Sequence, residues 1–310
     1  MKLTRRALTT ALLLALAAPL HAADTHSVSD FDWVDGARSR AVPVRLYLPL
    51  QASAGQPVPL VVFSHGIGGS RQGYSYLGHH FASQGVASLH LQHIGSDRQI
   101  WSGNPFAMVG RLQGAAQHAE AIARVHDLRF ALDQLLAGEL ATKIDARRIA
   151  AAGHSYGANT TLLAAGARVE RDGHALDFRD PRVKAAIVIS APPFYGETAP
   201  EKILGAVTVP TLHVTTADDV IRIPGYYSDA GDRVKVFDAT GSARKTLAVF
   251  AGGSHSVFTD RVNNPGLKQA TQALSLAFLH SVFDDDDAAL KLWPQRFATL
   301  LSRFTPAAGF

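Results

Sequence analysis

The chain has 310 residues, of which 47% are hydrophobic and 18% are charged, with a net charge of +4. So small a net charge provides no argument for nucleic acid or an anionic membrane as a partner. The sequence contains no cysteine, which excludes disulfides, a thiol nucleophile and a cysteine-bound metal.

The first 22 residues have the pattern of a secretory signal peptide. Basic residues at positions 2, 5 and 6 precede a mostly apolar run, 7–20, that is too short to span a bilayer. We expect cleavage after Ala22, export to a periplasm or to the medium, and no stable membrane anchor; an uncleaved anchor is the alternative. Cleavage would leave 27 Lys and Arg against 26 Asp and Glu, a net charge of +1. Residues 23–310 are long enough for a single α/β domain.

Strand and helix patterns alternate along the rest of the chain. Alternating residues predict an early antiparallel strand, continuous apolar runs predict buried strands, and helical periodicity separates them. The predicted strands are 41–48, 59–63, 86–91, 148–152, 183–189, 208–214 and 245–250, and the predicted helices are 74–83, 113–136, 158–165, 265–282 and 288–301. Residues 172–181 are interpreted as a surface loop. This order favours a mostly parallel sheet with helices on both faces.

The motif Gly153-His154-Ser155-Tyr156-Gly157 lies between a predicted strand and a predicted helix. A G-x-S-x-G in this setting is typical of a nucleophile elbow, in which a sharp turn projects the serine hydroxyl above the end of a sheet. The flanking glycines are needed because a Cβ atom there would collide with the neighbouring strand or helix. Ser155 is therefore the predicted nucleophile.

A serine nucleophile needs a base, and the base needs an orienting acid. Candidates follow in the order serine, acid, histidine. The predicted base is His255, which follows the last predicted strand through a Gly-Gly turn, whereas His280 lies inside an apolar helix. The acid is one of the adjacent pair Asp218 and Asp219. We prefer Asp219 because apolar residues and a proline follow it, although Thr216 stands where such turns usually have glycine, and Asp218 remains the alternative.

The negative charge of a tetrahedral intermediate requires backbone N–H donors. We expect one donor at Tyr156, directly after the nucleophile, and the other at Ile67, in the glycine-rich turn after strand 59–63. The side chain of His65 in that turn is interpreted as structural. The other histidines lack zinc-ligand spacing, and the run Asp284–Asp287 fits a helix cap better than a calcium loop, so no metal is expected.

The segments Phe63–Gly69 and Gly153–Gly157, with Asp219 and His255, resemble the corresponding parts of the α/β-hydrolase superfamily. The resemblance extends to the segments 38–49 and 93–97. The most similar branch contains dienelactone-hydrolase-like proteins, platelet-activating-factor acetylhydrolases and bacterial polyester hydrolases. The resemblance implies the α/β-hydrolase fold, with a mostly parallel eight-stranded sheet, no cofactor, and hydrolysis of carboxylic esters.

The same resemblance implies two substrate-binding residues. Polyester hydrolases of this branch place an aromatic residue after the sixth strand and an apolar residue two positions past the acid. These positions correspond to Phe194 and Ile221, the implied substrate-binding residues. Dienelactone hydrolases use a cysteine nucleophile, which this chain lacks.

The sequence thus predicts an exported serine hydrolase that acts on small or polymeric esters. A peptidase or a thioesterase on the same fold is the enzymatic alternative, because function depends on the pocket rather than on the fold. A non-catalytic binding protein is the alternative of another class, although such proteins usually lose one member of the catalytic triad. The sequence does not indicate an oligomeric state.

Overall fold

The computed structural model describes residues 24–171, 174–194, 199–223 and 226–308, and the predicted signal peptide lies outside these ranges. The strands of these ranges are β1 (His26–Asp35), β2 (Arg40–Pro49), β3 (Val58–Ser64), β4 (Ala87–Leu91), β5 (Ile144–His154), β6 (Arg168–Arg171), β7 (His174–Asp177), β8 (Val183–Ile189), β9 (Thr211–Thr216), β10 (Ile221–Ile223), β11 (Tyr226–Ser228), β12 (Lys245–Phe250) and β13 (Leu301–Thr305). The α-helices are α1 (Ser75–Ser83), α2 (Pro105–Ala115), α3 (His118–Ala137), α4 (Tyr156–Ala165), α5 (Pro200–Leu204), α6 (Ala230–Ala239), α7 (Pro265–Phe283) and α8 (Ala288–Arg296).

Nine of the described strands form one mixed sheet in the order β1-β2-β4-β3-β5-β8-β9-β12-β13. The six strands from β4 to β12 in that order are mutually parallel, and the antiparallel pairs are confined to the two edges. Parallel strands end at the same edge of a sheet, so the loops after β3, β5, β9 and β12 meet there. This arrangement confirms the α/β-hydrolase fold, with nine strands in place of the expected eight.

Side chains alternate between two apolar layers along the buried strands. On β3, Val61 and Phe63 pack with α1, α7 and α8, whereas Leu60 and Val62 point to the opposite face, which α3 covers. Helix α4 packs on that second face farther along the sheet. Both faces of the parallel strands are thus covered, as their continuous apolar sequences require. None of the helices in the described ranges is both long and apolar enough to cross a bilayer.

The predicted helix 113–136 was wrong in its extent, because two helices occupy this region. Gln117 between α2 and α3 has extended backbone angles (φ −70°, ψ 152°). Helix α3 packs on the sheet, but Leu112 of α2 packs with Ile67 and Ile100, beside the carboxyl edge of the sheet. Helix α3 thus covers a face of the sheet and α2 covers its carboxyl edge, and the chain turns between the two helices.

The edges of the sheet also differ from the prediction. The predicted helix 288–301 ends at Arg296, and β13 then pairs with β12, where Phe304 packs on Trp293. The unpredicted strand β1 pairs with β2 over ten residues. The segment interpreted as a surface loop contributes to the hairpin of β6 and β7.

Strand β5 and helix α4 meet at a distance that only glycine permits. A Cβ atom on Gly153 would lie 2.2 Å from the carbonyl oxygen of Gly157. A Cβ atom on Gly157 would lie 1.9 Å from the carbonyl oxygen of Ser64, at the end of β3. Three backbone segments therefore converge on the turn that carries Ser155.

We predict that Gly157→Ala lowers the free energy of unfolding by about 3 kcal/mol or more, because the methyl group overlaps backbone that cannot move independently. The matched control is Gly110→Ala, on an exposed face of α2 where a Cβ atom would have no neighbour within 4 Å. Gly110→Ala is expected to raise the free energy of unfolding by about 0.5–1 kcal/mol, because alanine has a higher helix propensity than glycine. Urea unfolding measures both, and equal stability of the two variants would contradict the steric explanation.

Candidate active site

Ser155 is the turn residue between β5 and α4. Its backbone has φ 57° and ψ −123°, a conformation that non-glycine residues adopt only where their surroundings impose it. Its N–H donates to the carbonyl of Ile189 on β8 (2.9 Å), and its carbonyl accepts from the N–H of Ala158 (2.8 Å). These bonds hold Ser155 at the carboxyl edge of the sheet.

The imidazole of His255 connects the Ser155 hydroxyl to the Asp219 carboxylate. Its Nε2 lies 2.8 Å from the Ser155 Oγ, and its Nδ1 lies 2.7 Å from the Asp219 Oδ1. An ionised carboxylate only accepts hydrogen bonds, so Nδ1 carries the proton and Nε2 accepts from the serine hydroxyl. This is the tautomer that can remove a proton from the serine.

Asp219 lies in the turn that follows β9 and is fully buried. Its Oδ2 accepts from the Thr215 hydroxyl (2.7 Å), and Arg233 donates to its Oδ1 (3.2 Å). Burial alone would raise the pKa of Asp219, but the hydrogen bond from His255 and the charges of His255 and Arg233 outweigh it and hold the pKa below its ordinary value. The alternative acid, Asp218, is exposed at the same turn.

The two predicted backbone donors, Ile67 and Tyr156, line the same cavity as Ser155. Tyr156 begins α4, so its N–H is one of the donors that a helix leaves without an internal acceptor. Within the described ranges, neither N–H has a protein acceptor. The turn of Ile67 is close to the elbow, since a Cβ atom on Gly66 would lie 3.2 Å from the Cβ of Ser155.

A fully buried arginine, Arg124 of α3, connects both donor segments. Its guanidinium donates to the carbonyl of His65, next to the Ile67 turn, and to the hydroxyls of Ser96 (2.7 Å) and Thr160 (3.0 Å). It also lies 4.6 Å from the ring centre of Tyr156. Arg124 forms no direct ion pair in the part of the chain that the structure describes. The charges of Glu120 and Asp127 nevertheless act on it, and Glu120 accepts from the same Ser96 hydroxyl (2.7 Å) that Arg124 contacts. Sequence patterns did not single out this residue, because its partners are distant in the chain.

A second connection runs through the residue before the serine, His154. The N–H of Gly66 donates to the Tyr74 hydroxyl (3.3 Å), which lies 2.9 Å from the His154 Nδ1. The His154 Nε2 lies 2.9 Å from the carbonyl of His255, which only accepts, so Nε2 carries the proton and Tyr74 donates to Nδ1. Burial, assisted by the charge of His255, lowers the pKa of His154 to about 3 and keeps it neutral. This chain of bonds joins the Gly66 turn, the elbow and the His255 loop.

The side chain of His65 is part of the turn, as predicted. It is buried, its Nδ1 donates to the carbonyl of Gly66 (2.7 Å), and its Nε2 accepts from the N–H of His93 (3.1 Å). His280, the other histidine considered as base, instead pairs with Asp284 at the end of α7. No three His, Asp or Glu side chains within the described ranges are grouped so that they could hold a metal ion.

A cavity of about 210 Å³ lies beside Ser155. Helix α2, the loop after β8 and the β10–β11 hairpin supply much of its wall. The lining residues are Ile67, Val109, Leu112, Gln113, Ala116, Gln117, Ser155, Tyr156, Asn159, Pro192, Pro193, Ile221, Ile223 and Tyr226.

The two residues expected to contact substrate lie in different places. Ile221 lines the large cavity. Phe194 instead lines an adjoining cavity of about 50 Å³, which shares Ala116, Tyr156 and Asn159 with the first. Phe194 also packs against the apolar layer around α4. The wall from α2, and Ile223 and Tyr226 of β10 and β11, were not predicted, since nothing in their sequences signals where they pack.

We predict that Tyr74→Phe lowers the free energy of unfolding by about 1–3 kcal/mol, because it leaves the His154 Nδ1 and the Gly66 N–H buried without this partner. The matched control is Tyr76→Phe, because the Tyr76 hydroxyl is buried without a hydrogen-bond partner in the described ranges. Its removal is expected to leave stability unchanged or to raise it, because this hydroxyl makes no hydrogen bond that offsets its burial. Equal losses in urea unfolding would show that the Tyr74 hydroxyl contributes no specific stabilisation.

The comparisons with known proteins bear on the first strands and on the turn of Ile67. The family "Platelet-activating factor acetylhydrolase, isoform II" matches residues 26–99, which include β1 to β4 and Ile67 but none of Ser155, Asp219 and His255. No curated protein matches the sequence. The match to this family supports the platelet-activating-factor acetylhydrolase-like branch of the α/β-hydrolase superfamily and, with it, a hydrolase of the lipase and esterase type.

Proposed function

We propose that the protein is a serine hydrolase that cleaves neutral carboxylic esters through an acyl-enzyme on Ser155. The observation that carries this proposal is the 2.8 Å contact between the Ser155 Oγ and the His255 Nε2, with Asp219 hydrogen-bonded to the other ring nitrogen. A serine hydroxyl is a weak nucleophile unless such a base takes its proton. The chain thus holds a nucleophile, a base and an orienting acid at one edge of the sheet.

In the proposed reaction, Ser155 attacks the ester carbonyl while His255 takes the hydroxyl proton at Nε2. The C–O bond to the leaving group breaks as the imidazolium returns that proton to the departing alcohol. Water then attacks the acyl-enzyme, with His255 as base, and the acid leaves as Ser155 regains its proton. Asp219 stays ionised throughout, which favours the imidazolium form that each attack produces.

The N–H groups of Ile67 and Tyr156 are proposed to bind the oxyanion of each tetrahedral intermediate. Arg124 supports this role in two ways. Its bond to the His65 carbonyl and its contact with the Tyr156 ring hold the two donor segments together. Its buried positive charge also makes the electrostatic potential on this side of the site more favourable for a developing anion.

The cavity favours neutral esters whose acyl and alcohol groups are short. Among the described residues, no Asp, Glu, Lys or Arg lines it, so a charged substrate group would find no opposing charge there. Its volume of about 210 Å³ corresponds to roughly 15 water-sized groups, enough for a short acyl chain and a small alcohol.

We predict that kcat/KM on p-nitrophenyl esters is highest for acyl chains of two to six carbons and falls by about tenfold or more towards palmitate. Ser155→Ala is expected to lower kcat by about 10⁴-fold or more. A steady-state series from acetate to palmitate on both proteins measures this. Hydrolysis of thioesters or peptides without ester hydrolysis would favour those reaction classes, and no hydrolysis of any acyl substrate would favour a binding protein.

The assignment of the acid has its own test in the adjacent aspartates. Asp219→Asn is expected to lower kcat by about 10³- to 10⁴-fold, because the neutral amide no longer holds the imidazole in the required tautomer. Asp218→Asn, at the exposed position next to it, serves as the matched control and should stay within about twofold of the unmodified protein. The opposite pattern would make Asp218 the catalytic acid.

A further inference from the structure

Two polar atoms lie in the wall between the cavities and have no partner among the described residues. The Oδ1 of Asn159 and the Oη of Tyr156 are buried and make no hydrogen bond in the described ranges. The Asn159 residue is only 6% exposed, and both residues line the large cavity as well as the adjoining one. Eleven buried side-chain atoms of the described residues lack a hydrogen-bond partner, and of their residues only Tyr156 and Asn159 line these two cavities, where a bound group could supply the missing bonds.

Both atoms belong to the first turn of α4, directly after Ser155. Tyr156 and Asn159 are three residues apart, which places their side chains next to each other on the helix surface. The Asn159 N–H also reaches back to the Ser155 carbonyl (3.3 Å). Ser155 lines the same large cavity as these two side chains, so a substrate group bound here would lie near the ester carbonyl that Ser155 attacks.

The chemistry of the two atoms specifies their ligand. The Asn159 Oδ1 accepts a hydrogen bond, and the Tyr156 hydroxyl donates one. Burial raises the pKa of Tyr156 to about 12, so its hydroxyl keeps its proton at neutral pH. A neutral group that donates to one and accepts from the other satisfies both, and a hydroxyl is the smallest group that does so.

The rest of the wall carries few charged groups. No Asp, Glu, Lys or Arg among the described residues lines either cavity. The adjoining cavity has apolar side chains such as Ile122, Leu163 and Phe178 in its wall, beside the polar side chains of His118 and Thr160. Its volume of about 50 Å³ admits roughly three to five water-sized groups. That space suits a short branch of a substrate rather than a long chain.

We propose that Tyr156 and Asn159 form a subsite for the hydroxyl group of a hydroxy-acid ester, so that esters of short hydroxy acids are the preferred substrate class. This inference rests on the proposed ester hydrolysis at Ser155. It assigns a specificity function to two side chains of α4, one of which also supplies a proposed oxyanion donor through its backbone.

The test compares two esters that differ by one oxygen, p-nitrophenyl butyrate and p-nitrophenyl 3-hydroxybutyrate, the latter as each enantiomer. The expected ratio of kcat/KM, hydroxylated over plain, is about tenfold for the better enantiomer in the unmodified protein, as hydrogen bonds to buried neutral groups imply. Asn159→Leu and Tyr156→Phe should each lower this ratio towards one. The ratio is an internal control, because a general loss of active-site geometry lowers both rates together.

The matched control is Asn263→Leu, the same substitution at an exposed position, which should keep the ratio unchanged. If Asn159→Leu loses both activities, Tyr156→Phe decides, since it removes a single oxygen and keeps the backbone donor. Hydrolysis of butyrate with a ratio near one in the unmodified protein, or a ratio that neither variant lowers, would overturn the subsite and leave ester hydrolysis intact. Hydrolysis of neither ester would instead count against the proposed function itself.

Discussion

The site depends on the close approach of β3, β5 and α4 around Ser155. Gly157 leaves so little space that the carbonyl oxygen of Ser64 occupies the volume of a side chain. Around this contact the backbone of Ser155 has a positive φ, and Tyr156, the first residue of α4, lines the cavity. The same approach brings the turn of Ile67 against the elbow. A steric constraint between backbones thus determines where Ser155 and both proposed oxyanion donors lie.

The remaining parts of the site are added from the loops of parallel strands. Asp219 lies in the loop after β9 and His255 lies in the loop after β12. Both loops are at the carboxyl edge of the sheet, where β5 ends and Ser155 follows. Two buried arginines contact different parts of this arrangement. Arg233 contacts the carboxylate of Asp219, whereas Arg124 lies under Tyr156 and the His65 carbonyl. In the proposed mechanism, Arg233 stabilises the negative charge of Asp219, and Arg124 stabilises the negative charge that develops on the substrate oxygen.

Patterns that are local in sequence predicted the central strands of the sheet and the turn that carries Ser155. The elbow, the buried strands and the chain order of Ser155, Asp219 and His255 all follow from short motifs and from apolar runs. The helix break at Gln117 was missed because α2 and α3 have similar periodicity and differ only in the surface that they cover. The edge strand β13 was missed because its pairing with β12 depends on a partner about fifty residues away.

Long-range polar contacts were beyond prediction for the same reason. Arg124 is one of many charged residues in a helical pattern, and only its partners in space distinguish it. The Tyr74 hydroxyl reaches His154 across 80 residues. Phe194 was predicted from a resemblance, and its position in the adjoining cavity reflects packing around α4 that a motif does not encode.

The proposed function requires that Ser155 is a nucleophile activated by His255. Covalent labelling with a fluorophosphonate probe, followed by mass spectrometry of the proteolytic peptides, tests this requirement. We expect a single adduct on Ser155, which forms at least about 100-fold more slowly in His255→Gln. An adduct on another serine, no adduct at all, or an unchanged labelling rate in that variant would contradict it.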